Sequence, residues 1–311
     1  MKSCADLLRP LYDRMVSRVF LSKSIHTDDT KVPHQTPEQP GKTSPARLWV
    51  YLGDVMHPFN VFDFTLTWSR DGPRTFLSEN SVGKFLGILQ ADALSGYDTI
   101  CDELGIVRAG CLAHARRYFW DARDADPARS AEAIARTRRL YATEDEIKET
   151  IAKEELAAPD ADALRRRLRQ EKAVPELTAL CHWLKEQQPL VLPKSPIGEA
   201  IAYALRHWDA LPLYTQHPFL AIDNNAAERA LRAIAVGRNN WLFVGSQTGG
   251  HTAAILLSFT STCRRLNLDP FAYIRDVLTR LAAVPLSADE LDRLLPDRWT
   301  PPQPESRAHS Q

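Results

Sequence analysis

What this chain of 311 residues has little of narrows it first. It has no net charge: 39 Lys and Arg balance 39 Asp and Glu. No global field therefore gathers nucleic acid, and any such contact has to come from local basic clusters. No apolar run approaches the roughly 18 residues of a membrane span. Near the N-terminus, Leu7, Leu8, Leu11 and Met15 are interrupted by charges, which is helical spacing and not a signal-peptide core. The five cysteines (4, 101, 111, 181 and 263) are scattered, with no C-x-x-C pair. That excludes a disulfide framework and a paired-thiolate zinc site, and a reducing cytosol fits. The glycine-rich stretch 245–251 has no Gly-Lys-Ser/Thr, so it is no phosphate-binding loop and a turn suffices to explain it. What remains, 44% hydrophobic and 25% charged, is an ordinary globular composition, enough for one large domain or two small ones.

Hydrophobic spacing then lays out the elements. Residues 5–20 read as a helix and 24–32 as a strand ended by Pro33. A polar, proline-rich connector over 33–45 has no reason to be ordered alone. Residues 47–52 and 60–65 read as strands of an antiparallel hairpin. A short helix is expected over 76–85, a fourth strand over 86–89, a fifth over 106–109, and a helix opening directly from it over 112–122. The order β-β-β-α-β-α-β-α implies a mixed sheet with helices packed on it. From about 127 to 208 strand signals vanish. Charged helical sequence takes over at 131–141, 144–156, 161–172, 176–187 and 197–208, a stretch too long for a loop and expected to be a helical insertion with its own packing. Further helices follow 223 and cover 252–265 and 268–282; the polar tail from 300 is expected to be disordered.

The segment Asp223-Asn-Asn-Ala-Ala-Glu228-Arg puts a carboxylate and two carboxamides at a helix mouth and a second carboxylate one turn inside. Oxygen donors on rigid helical backbone suit a hard divalent cation. A capping box, with Asn225 as N-cap and Glu228 three residues on, explains the same letters. Asp28, on the first strand, and Asp92, at the end of the fourth, are the other two acids singled out by context. If those strands are central neighbours, the two carboxylates lie side by side and the late helix brings Glu228 across them. Such a trio can hold two Mg²⁺ ions about 3.5–4 Å apart for in-line phosphoryl displacement. Plain alternatives exist: Asp92 as a strand-end turn residue, Asp28 as a solvent-facing one, and Asp29 on the opposite face of the strand. Cys111 and His114 have zinc-like spacing but no second pair, so a buried Cys and a helix-start His is the simpler reading. Arg116 and Arg117 follow on that helix and can neutralise phosphates. Arg229, Arg232 and Arg238 with Trp241 form the best basic-plus-aromatic cluster, suited to phosphate and a splayed base. A solvated helix face, with a Glu228–Arg232 ion pair, is the alternative.

Six stretches together carry a resemblance: Asp28-Asp-Thr-Lys-Val-Pro, Leu48-Trp-Val-Tyr, Gly87-Ile-Leu-Gln-Ala-Asp-Ala, Cys111-Leu-Ala-His-Ala-Arg-Arg, Asp223-Asn-Asn-Ala-Ala-Glu-Arg and Leu295-Pro-Asp-Arg-Trp. In this order, over nearly the whole chain, they resemble the insertion-sequence 66 type transposase family. The resemblance implies an α/β, ribonuclease-H-like mixed five-stranded sheet flanked by helices, with a large all-α insertion. It also implies an Asp-Asp-Glu triad at Asp28, Asp92 and Glu228, with Glu often found where Asp29 stands, which argues against Asp29 as the ligand. The domains expected are an N-terminal helix over 1–22, a catalytic core over 23–126 and 210–266, the insertion over 127–209, and a C-terminal helical element with its tail over 267–311. Two Mg²⁺ ions, for which Mn²⁺ can substitute, would serve DNA cleavage and strand transfer. DNA ends and target, a homo-oligomeric synaptic complex and other element-encoded proteins are the implied partners. No membrane is involved, and the location implied is cytoplasmic, on the nucleoid when bound to DNA. His114 is accessory in this scheme, near phosphate or the metal-bound water. The family usually carries a long region before this core, so a truncated copy is expected. Rival readings are a non-catalytic remnant acting through protein contacts and a metal-dependent nuclease that cannot join strands.

Overall fold

The computed structural model describes residues 1–36, 41–69, 71–78, 83–92, 95–237 and 242–301. The elements that position the site begin with helix α1 (Lys2–Phe20) and strands β1 (Ser24–Gln35), β2 (Thr43–Leu52) and β3 (Asn60–Thr65). Helix α2 (Asp71–Leu77), β4 (Ile88–Gln90), α3 (Ser95–Leu104), β5 (Val107–Ala109) and α4 (Leu112–Asp121) follow. The five strands form one sheet in the order β3-β2-β1-β4-β5. β2 and β3 run antiparallel, whereas β1–β4 and β4–β5 are parallel. The long helical stretch contains α5 (Pro127–Lys153), α6 (Ala158–Leu168), a π turn (Arg169–Ala173), α7 (Val174–Gln187) and α8 (Pro196–Arg206). The chain then runs through α9 (Asn225–Gly237), α10 (Gln247–Arg265), α11 (Pro270–Ala283) and α12 (Ala288–Arg293). Contacts divide the chain into two compact units, one of Met1–Ser22, Asp29–Phe85 and Ala230–Gln311, the other of Lys23–Asp28 and Leu86–Arg229.

In the first unit the edge strand is sealed by side chains. The outward amides of Asn60 and Phe62 donate to Thr262 Oγ1 (2.9 Å) and Ser258 Oγ (2.8 Å) on α10. The carbonyl of Phe62 accepts from the Tyr12 hydroxyl of α1 at 2.8 Å. An edge whose polar groups are spent this way offers no template to another strand. The apolar sides of α1 (Leu8, Leu11, Met15), β2 (Leu48 to Leu52), β3 (Phe62, Phe64) and α10 (Phe259, Cys263) are buried. Along β2 every residue from Leu48 to Leu52 is buried, the mark of a strand covered on both faces.

One close approach fixes how α10 meets β3. A Cβ built on Gly250 would stand 2.4 Å from two ring carbons of Phe64, far inside van der Waals contact. Gly250→Ala is therefore expected to destabilise the fold by about 1–3 kcal/mol, overpacking outweighing the helix propensity gained. Urea unfolding checks this, with Gly249→Ala, whose Cβ would meet Ser246 Oγ at 3.3 Å and Val244 Cγ1 at 3.7 Å, as comparison.

The connector expected over 33–45 is shorter, because β1 continues to Gln35 and β2 begins at Thr43. β4 is only three residues long, so beyond it β1 has a free edge where Pro33, lacking an N–H, costs nothing. Val244 takes that edge, donating to the Pro33 carbonyl and accepting from the Gln35 amide, both at 2.8 Å. The helix expected over 76–85 lies earlier, at Asp71–Leu77, where Ser69 Oγ accepts from the Asp71 amide. Leu86 is exposed and the fourth strand starts at Ile88.

In the second unit, Leu140, Leu177, Leu184 and Ile201 of the helical stretch share one apolar cluster with Ile88, Ala109, Leu112 and Phe119. The break expected near 142 does not occur, and α5 runs unbroken through 27 residues. Its buried threonines are accommodated by bonding back to the preceding turn, Thr137 Oγ1 to the Ala133 carbonyl and Thr143 Oγ1 to the Arg139 carbonyl. Asp126 caps α5, accepting from the Arg129 amide (3.1 Å) and guanidinium (2.7 Å). Those bonds hold its carboxyl below the usual carboxylate range. Asp126→Ala should cost about 1 kcal/mol, read as a lower thermal midpoint.

Candidate active site

The site is built around Asn224, a residue passed over in the sequence in favour of its charged neighbours. Asn224 is fully buried. Its Nδ2 donates to the Thr27 carbonyl (2.8 Å), its Oδ1 accepts from His26 Nδ1 (3.1 Å), and its amide donates to Cys111 Sγ (3.2 Å). Because Nδ2 faces a carbonyl, Oδ1 must be the acceptor, which puts the proton of His26 on Nδ1. Three elements, β1, the start of α4 and the start of α9, are thus tied at one residue.

The helix mouth is closed by Asp223, not by a capping box. Its carboxylate accepts from the Asn225 amide (3.1 Å), Asn225 Nδ2 (2.7 Å) and the Tyr141 hydroxyl of α5 (2.8 Å). The Asn224 carbonyl accepts from the amides of Ala227 and Glu228. Glu228 is left with 43% of its side chain exposed, its carboxylate 3.8 Å from His114 Nδ1. The Glu228–Arg232 pair does not form among the described residues.

Asp28 and Asp92 are half-buried. β1 and β4 pair in parallel as Ser24 with Ile88, Ile25 with Leu89 and His26 with Gln90. The pairing ends there; its offset, carried two residues on, would bring Asp28 level with Asp92. On the other side of β4, toward β5, the Ala91 amide donates to the Ala109 carbonyl at 3.2 Å. His26 bonds Asn224, and Gln90 Nε2 donates to the Ala221 carbonyl at 2.6 Å. The strand face carrying even-numbered residues therefore meets the segment leading into α9, and Asp28 and Asp92 are in phase with it. Asp29 points the other way and is spent on Arg47, whose Nη1 donates to it at 2.8 Å. Burial, and then the charge of Asp92, push the Tyr203 hydroxyl of α8 well above its ordinary value. Tyr203 stacks on Tyr118 at 4.1 Å.

Among the described residues no three His, Cys, Asp or Glu side chains are gathered into a ready metal cluster. Burial pushes the Cys111 thiol up to about 12, and its sulfur accepts from the Asn224 amide.

Arg116 and Arg117 are exposed on α4. With Ala113 and Trp120 they line a shallow depression of about 310 Å³. Trp120 is half exposed and carries the Arg123 guanidinium 4.6 Å from its ring centroid. Trp120 escaped the sequence reading because a lone Trp on an amphipathic helix reads as core. Arg229 and Arg232 are exposed on α9. Arg238 and Trp241 lie outside the described residues.

A mixed sheet in the order β3-β2-β1-β4-β5, parallel across β1, β4 and β5, with helices packed on it, defines an α/β protein of the ribonuclease-H-like class. The model of the IS66 transposase family matches residues 1–252, and that of the IS66 C-terminal element matches 258–296. The chain belongs to the IS66 transposase family. Similar curated proteins are three uncharacterized proteins of Sinorhizobium fredii. The protein y4hP is 32% identical over 94% of this chain and 53% of its own length. Protein y4jD is 28% identical over 94% and 57%, and y4qI 31% over 94% and 54%. The chain thus spans about half the length of the curated relatives it matches. No solved structure matches. No helix among the described residues is long and apolar enough to cross a membrane.

Proposed function

We propose that this chain carries the catalytic site of an insertion-sequence transposase, cutting DNA and joining strands by metal-dependent phosphoryl transfer. What supports the reading is the parallel register of β1 with β4, whose offset carried two residues on would bring Asp28 level with Asp92, together with the tether of Asn224 to the Thr27 carbonyl one residue before Asp28. Asp28, Asp92 and Glu228 would hold two Mg²⁺ ions; a hard, all-carboxylate donor set suits Mg²⁺ or Mn²⁺ and not a thiophilic metal. Bound there, the ions activate a water or a 3′-hydroxyl and neutralise charge on the transferring phosphoryl group.

The chain's own residues do the rest. Asn224 fixes where α9 begins, and so where Glu228 stands. Asp223 is consumed by Tyr141 and Asn225 and takes no part. His114, beside Glu228, steadies its carboxylate. Arg116 and Arg117 on α4, and Arg229 and Arg232 on α9, hold DNA phosphates; Arg238 and Trp241 are further DNA contacts proposed from the sequence alone. Water and then a 3′-hydroxyl are the nucleophiles, so no covalent enzyme intermediate forms. A homo-oligomer bridging two element ends, joined by other element-encoded proteins, is the working assembly, acting on cytoplasmic DNA.

Strand transfer of pre-cut donor DNA in Mg²⁺ or Mn²⁺ tests this. Joining by the wild type and none by Glu228→Gln is expected. Equal joining by both would reject the triad, and cleavage that never proceeds to joining would mark a nuclease.

A further inference from the structure

The helical stretch contributes a buried device aimed at the site. Arg169, the first residue of the π turn, has 3% of its side chain exposed, and its partner Glu144 on α5 has 9%. The pair is bidentate: Nε and Nη2 each donate to one carboxylate oxygen of Glu144 at 2.8 Å. The remaining donors go to main-chain carbonyls, Nη1 to Tyr214 (2.7 Å) and His217 (3.1 Å), and Nη2 to Leu220 (3.0 Å). All five guanidinium N–H groups are used, the complete capacity of the side chain. The next residue helps, Gln170 Nε2 donating to the Thr215 carbonyl at 3.1 Å.

A buried ion pair is weak support for stability as such, because desolvation offsets the attraction, and apolar residues of like volume would serve as well. What apolar residues cannot do is satisfy three carbonyls from one point. Those carbonyls belong to the segment that runs directly into the site. After Leu220, the Ala221 carbonyl accepts from Gln90, the Ile222 carbonyl from the Leu112 amide (3.2 Å), and Asn224 makes its anchor. Glu228 follows one turn later.

We propose that Arg169, oriented by Glu144, is a positioning residue for Glu228: it sets the path of residues 214–222 and so the place where α9 starts. The inference rests on the reading of Glu228 as a cation ligand. It makes the helical stretch a part of the catalytic apparatus and not a spacer between two acids.

The test uses the full chain with Arg169→Lys, which keeps the charge but cannot reach three carbonyls and a carboxylate together. Arg108→Lys is the control, since Arg108 is similarly buried (7% exposed) and pairs with Asp98 and His207 and not with the Tyr214, His217 or Leu220 carbonyls. Amide hydrogen exchange by mass spectrometry is read over 214–228, alongside the Mn²⁺ and DNA concentrations for half-maximal strand transfer. In Arg169→Lys, exchange over 214–228 should rise about ten-fold, the worth of one charged hydrogen bond, while α5 and α7 stay within about two-fold. The Mn²⁺ requirement should rise about ten-fold with the DNA requirement unchanged, and Arg108→Lys should move neither. A folded Arg169→Lys with unchanged exchange over 214–228 would overturn the proposal. So would the same change in Arg108→Lys, or failure of both variants to fold, which would make these pairs general stability elements. Failure of the triad itself would show separately, as equal joining by wild type and Glu228→Gln, and the exchange data would still judge Arg169.

Discussion

Glu228→Gln is expected to lower strand transfer by about 10³-fold or more while leaving the fold intact. The magnitude follows from what a cation ligand supplies. Metal-based charge stabilisation is worth several kcal/mol, and about 4 kcal/mol is roughly 10³ in rate. The side chain is 43% exposed with one polar neighbour, His114 at 3.8 Å, so the isosteric amide changes little in the folded chain, within about 0.5 kcal/mol. Thermal melting with and without Mn²⁺ separates the two effects. A cation at a hundred times its dissociation constant should stabilise the wild type by about 2.7 kcal/mol, and the variant should lose most of that shift. An unchanged Mn²⁺ shift in Glu228→Gln, or activity within ten-fold of wild type, would remove Glu228 from the site.

The second large effect is expected at Asn224. Its Ala variant removes both side-chain bonds from a site with no exposure, taking a donor from the Thr27 carbonyl and an acceptor from His26 Nδ1. Leaving buried polar groups unsatisfied costs about 1–3 kcal/mol each. A loss of about 3 kcal/mol is therefore expected in urea unfolding, without full additivity. Asn224→Asp should do no better than Ala, because a carboxylate presents an acceptor to the Thr27 carbonyl where a donor is needed, and adds a buried charge. A near-neutral Asp variant would show that the tether is not what holds α9 to β1. Activity should fall in both, since Glu228 loses its fixed starting point.

Much of this architecture was legible in the letters, and the reasons are local. β2 and β3 announce themselves by β-branched and aromatic runs bounded by turn residues, and their hairpin needs no distant information. The mixed sheet followed from the order of elements. What failed was set by partners far away in sequence. β1 outruns its expected end at Pro33 because Val244 supplies its edge bonds. α5 is continuous through Thr137 and Thr143, whose hydroxyls bond back to the preceding turn, which propensity alone does not foresee. At the site, charge drew attention to Asp223, Asp28, Asp92 and Glu228. The neutral Asn224 gave no signal to distinguish it from Asn225, since its value lies in three partners from β1 and α4. Asp29 and Asp28 are told apart by a cross-strand arginine. Trp120 and Arg169 looked like ordinary members of charged amphipathic helices, and only the fold shows one outside and the other inside.

The wide spacing of the three acids along the chain bears on synthesis. Ribosomes add roughly 5–20 residues per second, so on the order of 10 s separates the emergence of Asp92 from that of Glu228. During that interval the nascent polypeptide has Asp28 and Asp92 but neither Asn224 nor the helix that follows it. On the proposed reading the last cation ligand is made only after the whole helical stretch that holds its segment, so no complete site forms before that scaffold exists.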